Sequence, residues 1–412
     1  MSVPRLMIVS HHFAPSTGTV ARRPTWLARF LAAGGQPPVV VTAAPGFYGE
    51  AVLPGRSGRE DLEVHEVPYL RRHAIMERAG RLGRQALRMS VVLGYRRAIG
   101  RALESGPRPD FLFFCGAPFW YFPLARWFRT RRGIPYVLDL EDVWFMGGLP
   151  YRMGRRAGLR HVFDKVAEAR SIGGASLVVL TTEAQTEFYR QRYDSLPADL
   201  FITVPWGYDA EALGSVRPAR RERSDTFRLA IFGKFAAYGS QDAAALAEAV
   251  AALHVQSRVE VMHLGEPEPE LADAFRRQGL SMCFREPGML PYADGLAILA
   301  SADCLALNAI SDVSLPVKVY DYIGMNRPVL AFAAAESALG RLLSRFEGAF
   351  LVQTAGQASQ ALGVLAQRRL SQLQPGLDTT QFSQHRQFEC LVHKLSDLLE
   401  RHRAEARGLP CA

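Results

Sequence analysis

Short apolar runs alternate along the chain with longer stretches whose apolar positions recur every three or four residues. In the first half the runs fall at 6–9, 38–42, 62–67, 111–114, 136–140, 177–180 and 201–204, with amphipathic stretches at 24–32, 80–103 and 158–172 between them. After a polar, arginine-rich segment at 214–226 (GSVRPARRERSDT) the alternation restarts, with runs at 228–232, 259–264, 282–284, 304–307, 329–332 and 350–352. Apolar runs of this kind read as strands buried on both faces, and the amphipathic stretches as the helices that cover them. The pattern therefore predicts α/β layers with parallel sheets, and its restart predicts two such domains. We read 1–206 as a first domain, 207–380 as a second, and 381–412 as a C-terminal helical segment able to pack back across the junction. In open parallel sheets, ligands bind where the carboxyl ends of strands lead into helices, so two facing domains would enclose a functional cleft.

Composition narrows the class. At 412 residues, 48% hydrophobic and 22% charged, the chain is an ordinary globular protein. Its longest uncharged apolar run, 111–125, is interrupted by Gly116, Pro118 and Pro123 and is too short to span a bilayer. The opening MSVPRLMIVS reads as a first strand, not a signal peptide. Cys115, Cys283, Cys304, Cys390 and Cys411 are scattered without metal-ligand spacing, which fits reduced thiols in a cytoplasmic protein. The net charge of +9 is unevenly spread: residues 1–206 hold 28 Arg/Lys against 17 Asp/Glu, the remainder 21 against 23. Residues 71–101 alone carry nine arginines and one glutamate. That excess points to an anionic partner, whether a membrane surface, nucleic acid or a phosphorylated acceptor, with a plainly solvated helical face as the equal alternative.

Only four lysines occur, Lys165, Lys234, Lys318 and Lys394, and two of them fall at predicted strand-to-helix loops. In SDVSLPVKVYDYIGMNRPVL (311–330), Ser314 reads as a helix N-cap and Pro316 as a first-turn residue, so Lys318 also falls in the first turn. A cation there is repelled by the helix dipole unless an anion shares the site. A phosphate or diphosphate would reverse the sign. Asp321, one turn along the same face, then suits a vicinal diol such as ribose, because an ionised carboxylate only accepts hydrogen bonds. The plain alternative is a surface ion pair worth roughly 0.2–0.5 kcal/mol. The segment IFGKFAAYGS (231–240) supports the anion reading: Gly233 permits close backbone approach and Lys234 puts a second cation at a strand exit. SHHFAPSTGTVARR (10–23) repeats the geometry after the first strand, with Gly18 able to bring backbone N–H groups to a phosphate or sugar. Neither G-x-G-x-x-G with its downstream acid nor G-x-x-x-x-G-K-[ST] is present, which argues against a hydride-transfer dinucleotide fold and an ordinary ATPase.

Taken in order, SHHFAPSTGTVARRPTWLARFLAAGG, PYVLDLEDVW, VPWGYD and SLPVKVYDYIGMNRPVLA resemble bacterial glycosyltransferase family 4, over residues 5 to about 335. The resemblance implies two Rossmann-like doubly wound domains facing a cleft, the GT-B arrangement. It also implies a nucleotide-diphosphate sugar held mainly by the second domain, and a retaining transfer without a tightly bound metal or other cofactor. By resemblance Asp321 matches the acid that binds ribose, Lys318 and Lys234 match positions contacting diphosphate, and Gly18 matches backbone near the transferred sugar. Gly233, Gly265, Pro291, Ser314 and Leu315 complete the expected donor site, with Gly265 and Pro291 near the base. The chain departs from the pattern at four places. Val313 stands where an acid is usual, with Asp312 beside it; Tyr238 and Gly239 stand where a second cation is usual; Trp206 replaces Asn; and Asn326 replaces Gly at a helix end, where Asn tolerates the left-handed conformation.

Asp139, Glu141 and Asp142 end a strand expected to face the cleft. One of them orients the acceptor hydroxyl or takes its proton; Asp142 is favoured by position, and helix capping is the equal alternative. Asp139 and Glu141 also resemble a metal-binding acid pair, a reading that the second Rossmann-like half opposes. His11, His12 and Arg22 are the remaining acceptor-side candidates. The expected function is sugar transfer to a glycan or polyprenyl-diphosphate-linked acceptor in cell-surface polysaccharide assembly, in the cytoplasm or on the inner face of its membrane. A nucleotide-sugar epimerase of the same fold is the first alternative. A basic nucleic-acid-binding protein is the second, and no nucleic-acid module is recognisable.

Overall fold

The computed structural model describes residues 3–16, 18–47, 59, 61–78, 80–144, 160–220, 225–368 and 378–406. Parts of the expected linker (221–224) and C-terminal segment (369–377 and 407–412, with Cys411) lie outside the described residues.

The first sheet comprises β1 (Leu6–Ser10), β2 (Val39–Ala43), β3 (Glu63–Val67), β4 (Phe111–Cys115), β5 (Tyr136–Leu140), β6 (Leu177–Leu180) and β7 (Phe201–Thr203). They are ordered β3-β2-β1-β4-β5-β6-β7 and every pair is parallel. The second comprises β8 (Phe227–Phe232), β9 (Val259–Leu264), β10 (Phe284–Gly288), β11 (Cys304–Asn308), β12 (Val329–Phe332) and β13 (Ala349–Val352). Their order is β10-β9-β8-β11-β12-β13, again all parallel. Both orders reverse beside the first strand of their sheet, the switch point where open parallel sheets bind ligands. The fold is thus two Rossmann-like doubly wound domains. The central strands β1, β4 and β5 are buried throughout, so water-free packing on both faces dictates the uninterrupted apolar runs that announced them.

Two elements differ from the sequence expectation. The run at 282–284 is not a strand; β10 begins at Phe284 and runs through Arg285 and Glu286 with alternating exposure, as an edge strand does. Met282, the most apolar-looking start, is 91% exposed in the preceding turn. The first helix spans Thr19–Ala33, so it begins five residues before the amphipathic stretch at 24–32 and holds Pro24 inside it. That early turn is fixed by Arg23, whose Nε and Nη2 donate to Asp139 Oδ2 and Oδ1 at 2.8 and 3.2 Å, both side chains 1% exposed. Arg23 also donates to the carbonyls of Val204 and Pro205, each at 3.0 Å. One buried side chain therefore ties the first helix, β5 and the exit from β7 together.

After β7 the chain crosses to the second sheet through 204–209, and it returns through 382–384. The two crossings pair: Tyr208 N donates to Phe382 O at 3.0 Å and Gln384 N to Tyr208 O at 2.9 Å. A Cβ on Gly207 would sit 2.5 Å from Gln384 N, and Gly207 has φ +77, so this corner needs glycine twice over. The helix Gln384–Ala406 then lies on the first domain. Phe388 packs on Phe30 with ring centroids 5.8 Å apart, and Arg401 and Arg403 reach Asp199 and Asp110, each at 3.5 Å.

Candidate active site

The exits of β8 and β9 meet through backbone. Gly233 N donates to Leu264 O at 2.6 Å, and a Cβ on Gly265 would stand 3.1 Å from Gly233 Cα. With φ of +68 and +142, both positions favour glycine on conformational grounds as well. The 235–237 loop that follows is held by a residue the sequence did not single out. Glu268, buried, accepts from Phe235 N and Ala236 N through Oε2 at 2.8 and 3.0 Å, and from Ala237 N through Oε1 at 3.0 Å. His263 adds a second brace, with Nδ1 at 2.7 Å from Glu286 Oε1 and Nε2 at 3.1 Å from Gly233 O.

Against this loop comes Lys318, whose Nζ donates to the Lys234 carbonyl at 2.6 Å. Lys318 and Lys234, 84 residues apart in sequence, thus meet through the Lys234 backbone. Burial pushes the Lys318 ammonium down to about 7, with Glu268 opposing the shift. The Lys234 side chain is exposed. Pro291, also exposed, N-caps the helix Tyr292–Ala300, whose Tyr292 ring stacks on Phe232 at the end of β8.

The helix carrying Lys318 is shorter than the sequence predicts. It spans Lys318–Gly324, and the residue before it, Val317, makes no side-chain cap. Ser314 is therefore not its N-cap. Its hydroxyl instead accepts from Gln185 Nε2 at 3.1 Å, across the cleft, while its N–H goes to Ser311 Oγ at 3.0 Å. Thr182 Oγ1 donates to Val313 O at 2.6 Å, so the segment expected to cap a helix ties the two domains. Leu315 packs partly buried against the core.

Asp321 is 3% exposed and accepts from the Tyr292 hydroxyl at 2.8 Å. Burial raises its carboxyl to about 6; Arg22 and the Tyr292 hydrogen bond pull it down, and Asp209 pushes it up. Arg22 belongs to the first domain, yet its Cζ lies 4.2 Å from the Tyr292 ring centroid. The sequence grouped Arg22 with acceptor-side residues; in the structure its guanidinium lies over Tyr292 of the second domain.

On the first domain, the three acids separate. Asp139 does not face the cleft: it lies within β5, fully buried and paired with Arg23. Glu141 is buried too, and its carboxyl is pushed well above the usual range by burial and by neighbouring Asp139. Cys115, Asp139 and Glu141 bring ligand-type atoms within 4.8 Å of one another, but both Asp139 oxygens already accept from Arg23, a poor donor set for a cation. Asp142 is half-buried, and its charge helps raise the Tyr238 phenol of the opposite domain, after burial itself. His11 is buried with Nδ1 3.2 Å from Tyr95 Oη; burial, then His12, pushes it down to about 3, so it is a neutral ring at any ordinary pH. Gly18 precedes the first helix in an ordinary extended conformation, its N–H on Ser16 Oγ at 3.2 Å.

Residues 18–207 match the glycosyl transferase 4-like domain family. No curated protein matches the chain. Among solved structures, WaaG, a glycosyltransferase involved in lipopolysaccharide biosynthesis, is 15% identical with a TM-score of 0.57, over 97% of this chain and 98% of that one. Anabaena HepE in complex with UDP and glucose is 15% identical with a TM-score of 0.55, over 95% and 99%. The UDP-GlcNAc 2-epimerase of Methanocaldococcus jannaschii is 10% identical with a TM-score of 0.56, over 95% and 99%. At these identities the likeness is one of fold, and that fold is GT-B.

Proposed function

We propose that this protein, whose residues 18–207 match the glycosyl transferase 4-like domain family and whose fold is GT-B, is a retaining glycosyltransferase. It moves a sugar from a nucleotide-diphosphate donor to a glycan or polyprenyl-diphosphate-linked acceptor in cell-surface polysaccharide assembly. The observation that carries the reading is the meeting of Lys318 with the Lys234 loop at the exit of β8. As the sugar leaves, negative charge grows on the diphosphate oxygens and positive charge on the anomeric carbon. Cations fixed beside those oxygens stabilise that separation more than they stabilise the bound ground state. Lys318 and Lys234 take this role, Asp321 accepts from the ribose diol, and Asp142 stands on the acceptor side, where its carboxylate orients the attacking hydroxyl. The cations carry the charge compensation that a metal supplies in other transferases, so turnover is expected to survive chelation. HepE, which shares the fold, was captured with UDP and glucose, which makes UDP-sugars the first donors to try.

The test is a panel of UDP-, GDP- and ADP-sugars, screened by thermal shift and then for transfer with and without EDTA. One donor class is expected to raise the melting temperature and to turn over in both conditions. Donor isomerisation without transfer would replace the proposal with an epimerase, and no stabilisation by any nucleotide sugar would remove it.

The acceptor reading includes contact with an anionic membrane through 71–101, on the inner face of the cytoplasmic membrane. The helix Gly80–Ser105 supports it by carrying two apolar faces. Val91, Tyr95, Ala98, Ile99 and Ala102 are buried against the sheet, while Leu82, Met89 and Leu93 stand 85%, 55% and 44% exposed. Leu82, Ala86, Met89 and Leu93 follow at helical spacing, so the outer face carries an apolar ridge, and exposed Arg96, Arg97 and Arg101 flank it. Self-pairing through this face would set arginine against arginine, whereas anionic lipid satisfies both the ridge and its borders. No helix of the described residues is long and apolar enough to cross a membrane. Burying a large apolar side chain is worth roughly 1.5–3 kcal/mol. The L82E/M89E variant is therefore expected to lower co-sedimentation with anionic vesicles by about tenfold or more. Wild-type binding indifferent to anionic lipid and salt would dismiss the membrane role.

A further inference from the structure

Arg22 and Tyr292 meet across the cleft, and the geometry points to a clamp: we propose that this pair positions Asp321 for the ribose of the nucleotide, so that binding by the second domain depends on an arginine of the first. The inference rests on the reading of Asp321 as the ribose ligand.

Three contacts converge on Tyr292. Its ring stacks on Phe232 at the end of β8, with centroids 6.3 Å apart and planes at 23°. The Arg22 guanidinium lies 4.2 Å from its centroid. Its hydroxyl donates to Asp321 Oδ1 at 2.8 Å. The tyrosine is thus held by its ring, and it holds the carboxylate by its hydroxyl. Among the described residues no hydrogen bond reaches Asp321 Oδ2, so one oxygen is fixed and the other is left to accept from a diol. Arg22 is itself placed by its neighbour, because Arg23 is pinned to Asp139 and to the crossing carbonyls of Val204 and Pro205. A cation over an aromatic face is favourable only while the two domains keep this spacing. Arg22 therefore reports cleft geometry to Asp321 through Tyr292, which makes it a positioning residue.

The charge environment gives the clamp a signature of its own. Asp321 is faced by Arg22 from the first helix, by Tyr292 from the helix Tyr292–Ala300, and by Asp209 from the segment entering the second domain, with Tyr322 beside it on its own helix. Arg22 and the Tyr292 hydroxyl favour the ionised carboxylate; burial and Asp209 oppose it. The ionised form, which accepts from ribose, is lost as pH falls through about 6. Removing either clamp member raises that value, so affinity should start to fall at a higher pH.

The experiment is calorimetric titration of the full chain with UDP, GDP and ADP between about pH 5 and 8, the range that brackets an ionisation near 6. The variants are Tyr292→Phe, which keeps the ring, Arg22→Met, and Arg22→Lys as the conservative rescue. Both Y292F and R22M are expected to weaken the nucleotide that binds wild type by roughly three- to tenfold at pH 7, and to move the acid limb upward. R22K is expected to recover most of the R22M loss, and the double variant to be little worse than either single, as for two parts of one unit. Unchanged melting of the unliganded variants excludes general unfolding. Wild-type affinity and an unmoved acid limb in both singles would overturn the clamp while leaving nucleotide binding intact. Absence of binding by wild type would overturn the functional reading, and the clamp with it.

Discussion

Replacing Lys318 with alanine is expected to lower kcat for sugar transfer by about two orders of magnitude or more, the loss typical when a fixed charge-stabilising donor is removed. Two effects would be mixed in that number, since the ammonium also holds the Lys234 carbonyl and so shapes the loop. Lys318→Gln separates them: an amide can still donate to the carbonyl but carries no charge. If charge compensation is the dominant effect, K318Q should fall nearly as far as K318A. The pH dependence gives an independent reading. Burial pushes Lys318 down to about 7, so the free enzyme holds the cation below that pH and loses it as pH rises through it. A bound diphosphate favours the charged form, so nucleotide affinity should weaken on the alkaline side of neutrality. Lys318→Arg stays charged throughout and should abolish that alkaline limb. Near-wild-type turnover by K318A, or an alkaline limb unchanged in K318R, would exclude Lys318 from the leaving-group site.

What could be read from the sequence follows from what each interaction leaves behind in it. Strands buried on both faces must be apolar at successive positions, so β1, β4 and β5 were legible, while the edge strand β10, carried by Arg285 and Glu286, was not. A lysine repelled by its own helix is a local anomaly, and it singles out Lys318 from sequence alone. Ser314 looked like a cap because local rules see only its neighbours; its hydroxyl is taken by Gln185, 129 residues away. Glu268 left no local trace at all, since its three partners at 235–237 become neighbours only when β8 and β9 pair. Asp139, Glu141 and Asp142 read as one acidic loop because they are adjacent. The pleat and the strand end divide them: one acid goes to a buried ion pair, one is buried beside it, and only Asp142 is left partly open toward the opposite domain.

Arg23→Met is expected to destabilise the fold by about 3–5 kcal/mol, the range for removing one partner of a buried ion pair. The size follows from what is stranded, more than from what the pair contributes. Both Asp139 oxygens accept from Arg23, both side chains are 1% exposed, and the nearest other donor is the Cys115 thiol at 3.1 Å. Glu141 lies on the same side, already forced toward its neutral form, and offers no compensating charge. The carbonyls of Val204 and Pro205 lose a donor in the same step, where the chain leaves the first sheet for the second. A drop in the denaturation midpoint would measure the loss, and in a two-domain chain it should fall on the transition of the first domain. The double variant R23M/D139L removes the stranded charge as well, so it should recover more than half of the single-variant loss if desolvation of Asp139 dominates. A loss under about 1 kcal/mol for R23M would place the pair with ordinary surface bridges and contradict its burial. A double variant as unstable as the single would assign the loss to the crossing carbonyls instead, making Arg23 chiefly the pin of the interdomain junction.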